Sequence, residues 1–84
     1  MIEEPSSLVI VEWIDAHTDD GWDHFSEFAK HGPYTVYSVG WVIRDDNQGI
    51  WLTHGWSKDP TKEEPDGLNA TFIPRGMVQS VRQL

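Results

Sequence analysis

The chain has 84 residues, with 14 acidic and 6 basic side chains, a formal net charge of −8 and no cysteine. Such an acidic chain disfavours general binding to DNA, RNA or anionic membranes, because these partners attract a basic protein surface. The length allows one domain, without a disulfide or thiolate–zinc site to stabilise it. Five Trp, three Phe and two Tyr can supply a compact aromatic core.

The first third of the chain predicts a lead-in, a strand and a short helix. Residues 1–7 are polar and predict a flexible lead-in before a single small β-barrel domain at 8–84. Residues 8–17 predict a strand with apolar groups on both faces, as in a strand that is covered on both sides at one end. Residues 18–32 change to a helical period, with a candidate N-cap at Asp20. This segment predicts two to three helical turns, or an irregular ordered loop, that packs an aromatic stripe onto the sheet. The stripe consists of Trp22, Phe25, Ala29 and the neighbouring Phe28.

A β-hairpin is the clearest feature of the middle of the chain. Residues 34–44 and 50–56 are rich in β-branched and aromatic side chains, and residues 45–49 supply turn chemistry. Gly40 lies inside the first of these strands and predicts a bulge, a sharp bend or a close approach of other backbone. Trp13, Tyr37 and Trp41 are predicted to lie in the core.

The last third predicts an exposed loop and two strands. Residues 57–67 are loop-like, residues 68–73 form a fourth strand that is broken at 74–76, and the spacing of apolar residues in 77–84 predicts one tight turn leading into a short closing strand. The fold class is therefore mainly β: a small five-stranded SH3-like or Sm-like barrel with one short helix or ordered loop between strands 1 and 2. An OB-type barrel is the alternative, but its helix would lie between the third and fourth strands.

The candidate binding residues are aromatic and basic. Trp51 and Trp56 fall on opposite faces of one strand, and an exposed Trp suits an interface anchor or a stacking platform. Arg75 follows a turn whose N–H groups suit an anion. The partner- or ligand-binding candidates are Trp51, Trp56, His54, Arg75 and Arg44. In the competing interpretation, Trp56 covers the barrel edge and Arg75 pairs with a neighbouring acid.

The chain carries no recognisable catalytic signature. No Ser has a base partner, no Gly-rich phosphate loop is present, and the acidic pairs at residues 45–46 and 63–64 sit in predicted solvated turns. An acidic, His-containing segment has a spacing that matches no metal-ligand pattern, and a capped helix start explains its carboxylates equally well. Its members are His17, Asp19, Asp20, Asp23 and His24. We therefore expect no enzyme, no metal and no cofactor.

Several short motifs resemble a family of small bacteriophage and prophage proteins. They are Val11-x-Trp13-x-Asp15, Trp22, Ser38-Val39-Gly40-Trp41-Val42, Ile73-Pro74 and Val78-x-x-Val81-x-x-Leu84. The resemblance spans residues 9–84, is most specific at residues 38–41, and implies phage origin and a small barrel without catalytic residues.

The phage resemblance sets the functional expectation. We expect a non-catalytic accessory protein in the host cytoplasm that binds and inhibits a host protein, with host defence as one target. It is expected to be a homo-oligomer that contacts neither nucleic acid nor a membrane. The alternative is a sponge that sequesters a host nucleotide second messenger at an oligomer interface, with Trp stacking on the base and Arg holding phosphate.

Overall fold

The computed structural model describes residues 4–5, 7–16 and 21–84. Five strands, one short helix and one 3₁₀ turn occupy the described residues. In chain order they are β1 (Leu8–Asp15), α1 (Phe25–Phe28), β2 (Tyr34–Asp45), β3 (Gly49–Ser57), β4 (Asp66–Pro74), the 3₁₀ turn Arg75–Met77 and β5 (Val78–Gln83). The sequence predicted all five strands, and the ends of β1 to β4 lie within about two residues of the predicted ones, which is the usual uncertainty of element boundaries. The tight turn predicted within residues 77–84 lies slightly earlier, at Arg75–Met77, and the closing strand follows it.

The strands form one antiparallel sheet in the order β4-β3-β2-β1-β5. The 3₁₀ turn leads the chain from β4 into β5, which pairs with the free edge of β1. In the described part of the chain β4 and β5 do not pair, so the barrel-like sheet is not closed. The mainly β prediction is confirmed, and the arrangement is compatible with an SH3-like or Sm-like small barrel. Residues 58–65, between β3 and β4, contain no helix of the kind that an OB-type barrel would place there.

A small aliphatic core lies on the inner face of the sheet. Alternation along β1 and β3 brings every second side chain inwards. The buried hydrophobic residues are Val9, Val11, Ile50, Leu52 and Ile73, and Trp13, Val42, Met77 and Val78 pack partly buried against them. The indole nitrogen of Trp13 donates to the Ser38 hydroxyl at 3.0 Å, which ties β1 to the inner face of β2.

Gly40 marks the point where β2 changes partners. Residues 34–41 of β2 pair with β1, and residues 41–45 pair with β3. A Cβ atom at Gly40 would lie 2.8 Å from the Thr53 carbonyl oxygen and 3.1 Å from Leu52 Cβ. The predicted close backbone approach is therefore confirmed, and a register shift between Val42 and Arg44 bends the strand further.

Two predictions about the aromatic residues are wrong. Helix α1 has four residues, its N-cap is His24, and Trp22 and Phe25 are 103% and 91% exposed instead of packing onto the sheet. So short a helix has little stability of its own, and the predicted N-cap, Asp20, lies outside the described residues. Tyr37 is 60% exposed, because the inward positions of β2 are taken by its neighbours of opposite parity, including Ser38.

Candidate partner-binding site

A half-open, mainly apolar cavity of about 200 Å³ lies where β2, β3, β4 and the loop 58–65 meet. Two prolines, a tryptophan and an isoleucine supply most of its apolar wall. The lining residues are Pro5, Ile43, Thr53, Trp56, Glu64, Pro65 and Gly67. Trp56 is the one sequence-predicted candidate in this set, and it is half-buried.

An irregularity in the β3–β4 ladder shapes the floor of the cavity. Pairing is interrupted between Thr53↔Ala70 and Gly55↔Leu68, where Asn69 has a φ of 54°. Asn tolerates this left-handed conformation better than most residues. The buried Thr53 hydroxyl donates to the Gly55 carbonyl at 2.7 Å and accepts from the Leu68 N–H at 3.1 Å. Because this hydroxyl is already hydrogen-bonded within the protein, it helps to shape the cavity. Contacts to a bound group would come from the other residues of the cavity wall.

Gly67 keeps the cavity open. A Cβ atom at this position would lie 3.0 Å from Thr53 Oγ1. Gly67 stands opposite Trp56 in the β3–β4 ladder, so a side chain here would crowd the same space. A side chain here would press on the Thr53 hydroxyl, which would have to shift by a few tenths of an ångström.

The loop 58–65 is fixed by contacts of its own. The carboxylate of Asp59 accepts from the Thr61 N–H at 2.9 Å and from the Thr61 hydroxyl at 2.8 Å, and these bonds hold the pKa of Asp59 below its usual value. Lys62 donates to Asp66 at 2.8 Å, and this ion pair raises the pKa of the lysine. These groups are exposed, so their effect is local: they set the path by which Glu64 reaches the cavity.

One acidic residue, Glu64, lines the cavity. In the adjoining loop, Lys62 is paired with Asp66. Glu63 and Glu64 are exposed and have no ion-pair partner among the described residues. The apolar wall and the Glu64 carboxylate beside it therefore offer a complementary surface to a group that is apolar along its stem and positively charged at its end.

Arg75 and Arg44 lie in a second cluster at the β2–β3 turn. The Arg75 guanidinium donates to the Asp46 carbonyl at 3.1 Å from Nε and 2.7 Å from Nη2, and it also pairs with Asp45. Arg44 Nε lies 2.9 Å from Asp46 Oδ2. The competing interpretation of Arg75, a pair with a neighbouring acid, is the one observed. Both guanidinium groups are engaged by the acidic turn.

The five candidates therefore do not converge on one site. Trp51 stands opposite Arg44 and packs on Phe72, with ring centroids 5.2 Å apart. Trp56 lies near the other end of β3, about 17 Å away along the strand. His54 is exposed between the two ends.

Sequence reasoning missed the residues that accompany Trp56 in the cavity. Ile43 and Pro65 are far apart in the chain and meet only through the bend of β2, a long-range feature that no local pattern reports. It also missed that Trp22 is the exposed tryptophan, whereas Trp51 and Trp56 are half-buried.

The predicted acidic, His-containing segment lies partly outside the described residues, which exclude His17, Asp19 and Asp20. Within the described residues, no three His or acidic side chains are grouped so as to hold a metal ion. In the same part of the chain, no helix has the length and apolar character that a bilayer crossing requires.

Comparison of the chain with protein-family models, with curated protein sequences and with solved structures finds no match.

Proposed function

We propose that the protein is a non-catalytic binding protein whose cavity takes a basic side chain from a partner protein. The observation that carries this proposal is the mainly apolar cavity that Trp56 lines together with Glu64, a carboxylate without an ion-pair partner among the described residues. A tryptophan ring attracts a cation over its face, and a carboxylate forms a charge-assisted hydrogen bond with guanidinium or ammonium. The methylene stem of an arginine or lysine lies well against proline and isoleucine.

The size of the cavity supports a side chain over a nucleotide. Its volume is about 200 Å³, below the roughly 300–1,000 Å³ typical of small-molecule sites. A single anchoring side chain is enough for a protein interface, because a few buried anchors supply most of the binding energy. The net charge of −8 would steer the chain towards a basic partner and speed their association.

The resemblance to phage proteins suggests what the partner is. A host protein in the host cytoplasm is the partner that a phage accessory protein meets. An acidic protein that covers a basic surface on a host factor competes with whatever anionic ligand that surface serves, which provides a route to inhibition without catalysis. A defence protein that acts on nucleic acid would have such a surface.

Capture from host lysate tests the proposal. The immobilised full chain is compared with Trp56→Ala, Glu64→Gln and the control Trp22→Ala, which removes an equally large aromatic outside the cavity. We expect one discrete host protein, lost by about 30-fold with Trp56→Ala and about 3-fold with Glu64→Gln, and retained with Trp22→Ala. Loss with Trp22→Ala and retention with Trp56→Ala would contradict the assignment of the cavity.

A defined peptide tests the chemistry of the cavity directly. A short capped peptide containing arginine should shift the Trp56 indole N–H resonance, and the same peptide with citrulline in place of arginine should not. Citrulline keeps the shape of the side chain and removes its charge, so equal shifts from both peptides would exclude charge recognition.

A further inference from the structure

One wall of the cavity comes from the lead-in to β1. Pro5 is half-buried and lines the cavity, although it precedes the first strand and is far in sequence from the other lining residues. Those residues belong to β2, β3, β4 and the loop 58–65. The cavity is therefore bounded on one side by a segment that lies outside the strands.

Backbone hydrogen bonds hold the chain at the point where the lead-in meets β1. The Ser7 carbonyl accepts from the Val42 N–H at 3.0 Å, which extends the β1–β2 ladder by one position. On the other side of β1, the Leu8 carbonyl accepts from the Leu84 N–H at 2.8 Å. The residue after Val42 in β2 is Ile43, which shares the cavity wall with the lead-in.

The two sides of the cavity are held to different degrees. The loop 58–65 has several contacts of its own, including bonds from Thr61 to Asp59 and from Lys62 to the neighbouring β4. Among the described residues, the lead-in before β1 is joined to the sheet by one hydrogen bond, from Val42 to Ser7. A segment with so few contacts opens locally at low cost, so a group bound in the cavity can change how firmly it is held.

Pro5 suits the stem of a basic side chain. Its ring is apolar, and its fixed φ means that little conformational freedom is lost when the residue is ordered. A methylene stem inside the cavity meets Pro5 and Ile43 as well as the Trp56 ring, because all three line one space of about 200 Å³. The contact with Pro5 exists only while the lead-in lies against β2, so binding and the position of the lead-in are linked.

We propose that Pro5 is a binding residue of the cavity, and that capture of a basic side chain and attachment of the lead-in to β2 strengthen each other. This inference rests on the proposed function of the cavity and adds a further segment of the chain to the site. Coupling between two such equilibria is reciprocal. The factor by which the attached lead-in raises the affinity therefore equals the factor by which the bound group stabilises the attachment.

Titration of the full chain with the capped arginine peptide tests the role of Pro5. Wild type is compared with Pro5→Ala, with Trp56→Ala and with the control Pro33→Ala, which removes an equal ring from an exposed position before β2. We expect Pro5→Ala to weaken binding about 5-fold, because two ring carbons no longer meet the stem of the bound side chain. Pro33→Ala should bind as wild type does, and both proline variants should keep the wild-type melting temperature.

Hydrogen exchange at the Val42 N–H tests the coupling without any substitution. This N–H donates to Ser7 and therefore reports when the lead-in is attached. We expect a saturating concentration of the arginine peptide to slow its exchange about 5-fold, the same factor as in the titration, and the citrulline peptide to leave it unchanged. The Asp46 N–H donates to the Gly49 carbonyl at 3.1 Å outside the cavity and is the control, which neither peptide should affect.

The outcomes separate this inference from the function on which it rests. If the arginine peptide binds wild type, fails to bind Trp56→Ala and binds Pro5→Ala as tightly as wild type, the role of Pro5 is overturned and the proposed function stands. Equal slowing of exchange at Val42 and Asp46, or no slowing at Val42, would overturn the coupling. If the peptide does not bind wild type, the proposed function fails and this inference fails with it.

Discussion

Gly40 is the residue on which the crossing of β2 and β3 depends. We expect Gly40→Ala to lower the free energy of unfolding by about 1–3 kcal/mol, because the added Cβ meets the Thr53 carbonyl oxygen at 2.8 Å and the backbone must shift. Urea titration measures the loss. Gly76→Ala is the matched control, since no atom lies within 4 Å of its added Cβ. Equal stability of the two variants would contradict the close approach.

Arg75 is a second residue with a local structural role, because it stabilises the β2–β3 turn. We expect Arg75→Ala to lower the free energy of unfolding by about 1 kcal/mol, because it removes charge-assisted bonds to Asp45 and Asp46 that are partly exposed. Thermal unfolding compares it with Arg82→Ala, which removes the same charge from an exposed position on β5. If neither variant loses stability, the guanidinium is free for another ligand and the sponge alternative gains support.

At the element scale, the strands were predictable and their outward surfaces were not. Alternation in residues 34–44, the turn chemistry at 45–49 and the break after Ile73 are local signals, so β2, β3 and β4 appear near their predicted positions. Which face of β2 is inner depends on its register with β1, set by contacts such as Trp13–Ser38. Local pattern cannot supply that register, and Tyr37 was therefore assigned to the wrong face.

At the candidate site too, features that depend on single residues were predictable from the sequence, and contacts between distant residues were not. Trp56 was found from its residue type, and the pairing of Arg75 with an acid was already one of two interpretations. The meeting of Ile43, Pro65 and Trp56 depends on the bend at Gly40 and on the loop between β3 and β4. This long-range contact follows from the fold and cannot be predicted from the spacing of these residues in the sequence.

The contacts of Asp59 in the loop 58–65 predict how the ionisation of this residue depends on pH. The pKa of Asp59 is lowered by two bonds from Thr61, so the carboxylate stays ionised, and its contacts stay formed, until the pH falls through that lowered pKa. Carboxyl chemical shifts followed by NMR should show Asp59 titrating below its usual range. Thr61→Ala should return the pKa towards the ordinary value. An Asp59 that titrates normally in wild type would contradict the loop geometry.

At the scale of the whole molecule, a small core leaves much of the apolar surface exposed. Among the described residues, five buried aliphatic side chains form the core, and several aromatic side chains lie at the surface. The proposed site beside Trp56 offers a place for a basic group that is separate from this core.

Native mass spectrometry of the chain expressed in and purified from bacteria tests this account most directly, because one spectrum reports both the oligomeric state and any bound ligand. The account predicts a defined homo-oligomer whose mass is a multiple of the 9.6 kDa chain. A monomer at micromolar concentration would contradict the expected homo-oligomer. An oligomer carrying a few hundred extra daltons per site would contradict the protein-binding function and point to a captured nucleotide.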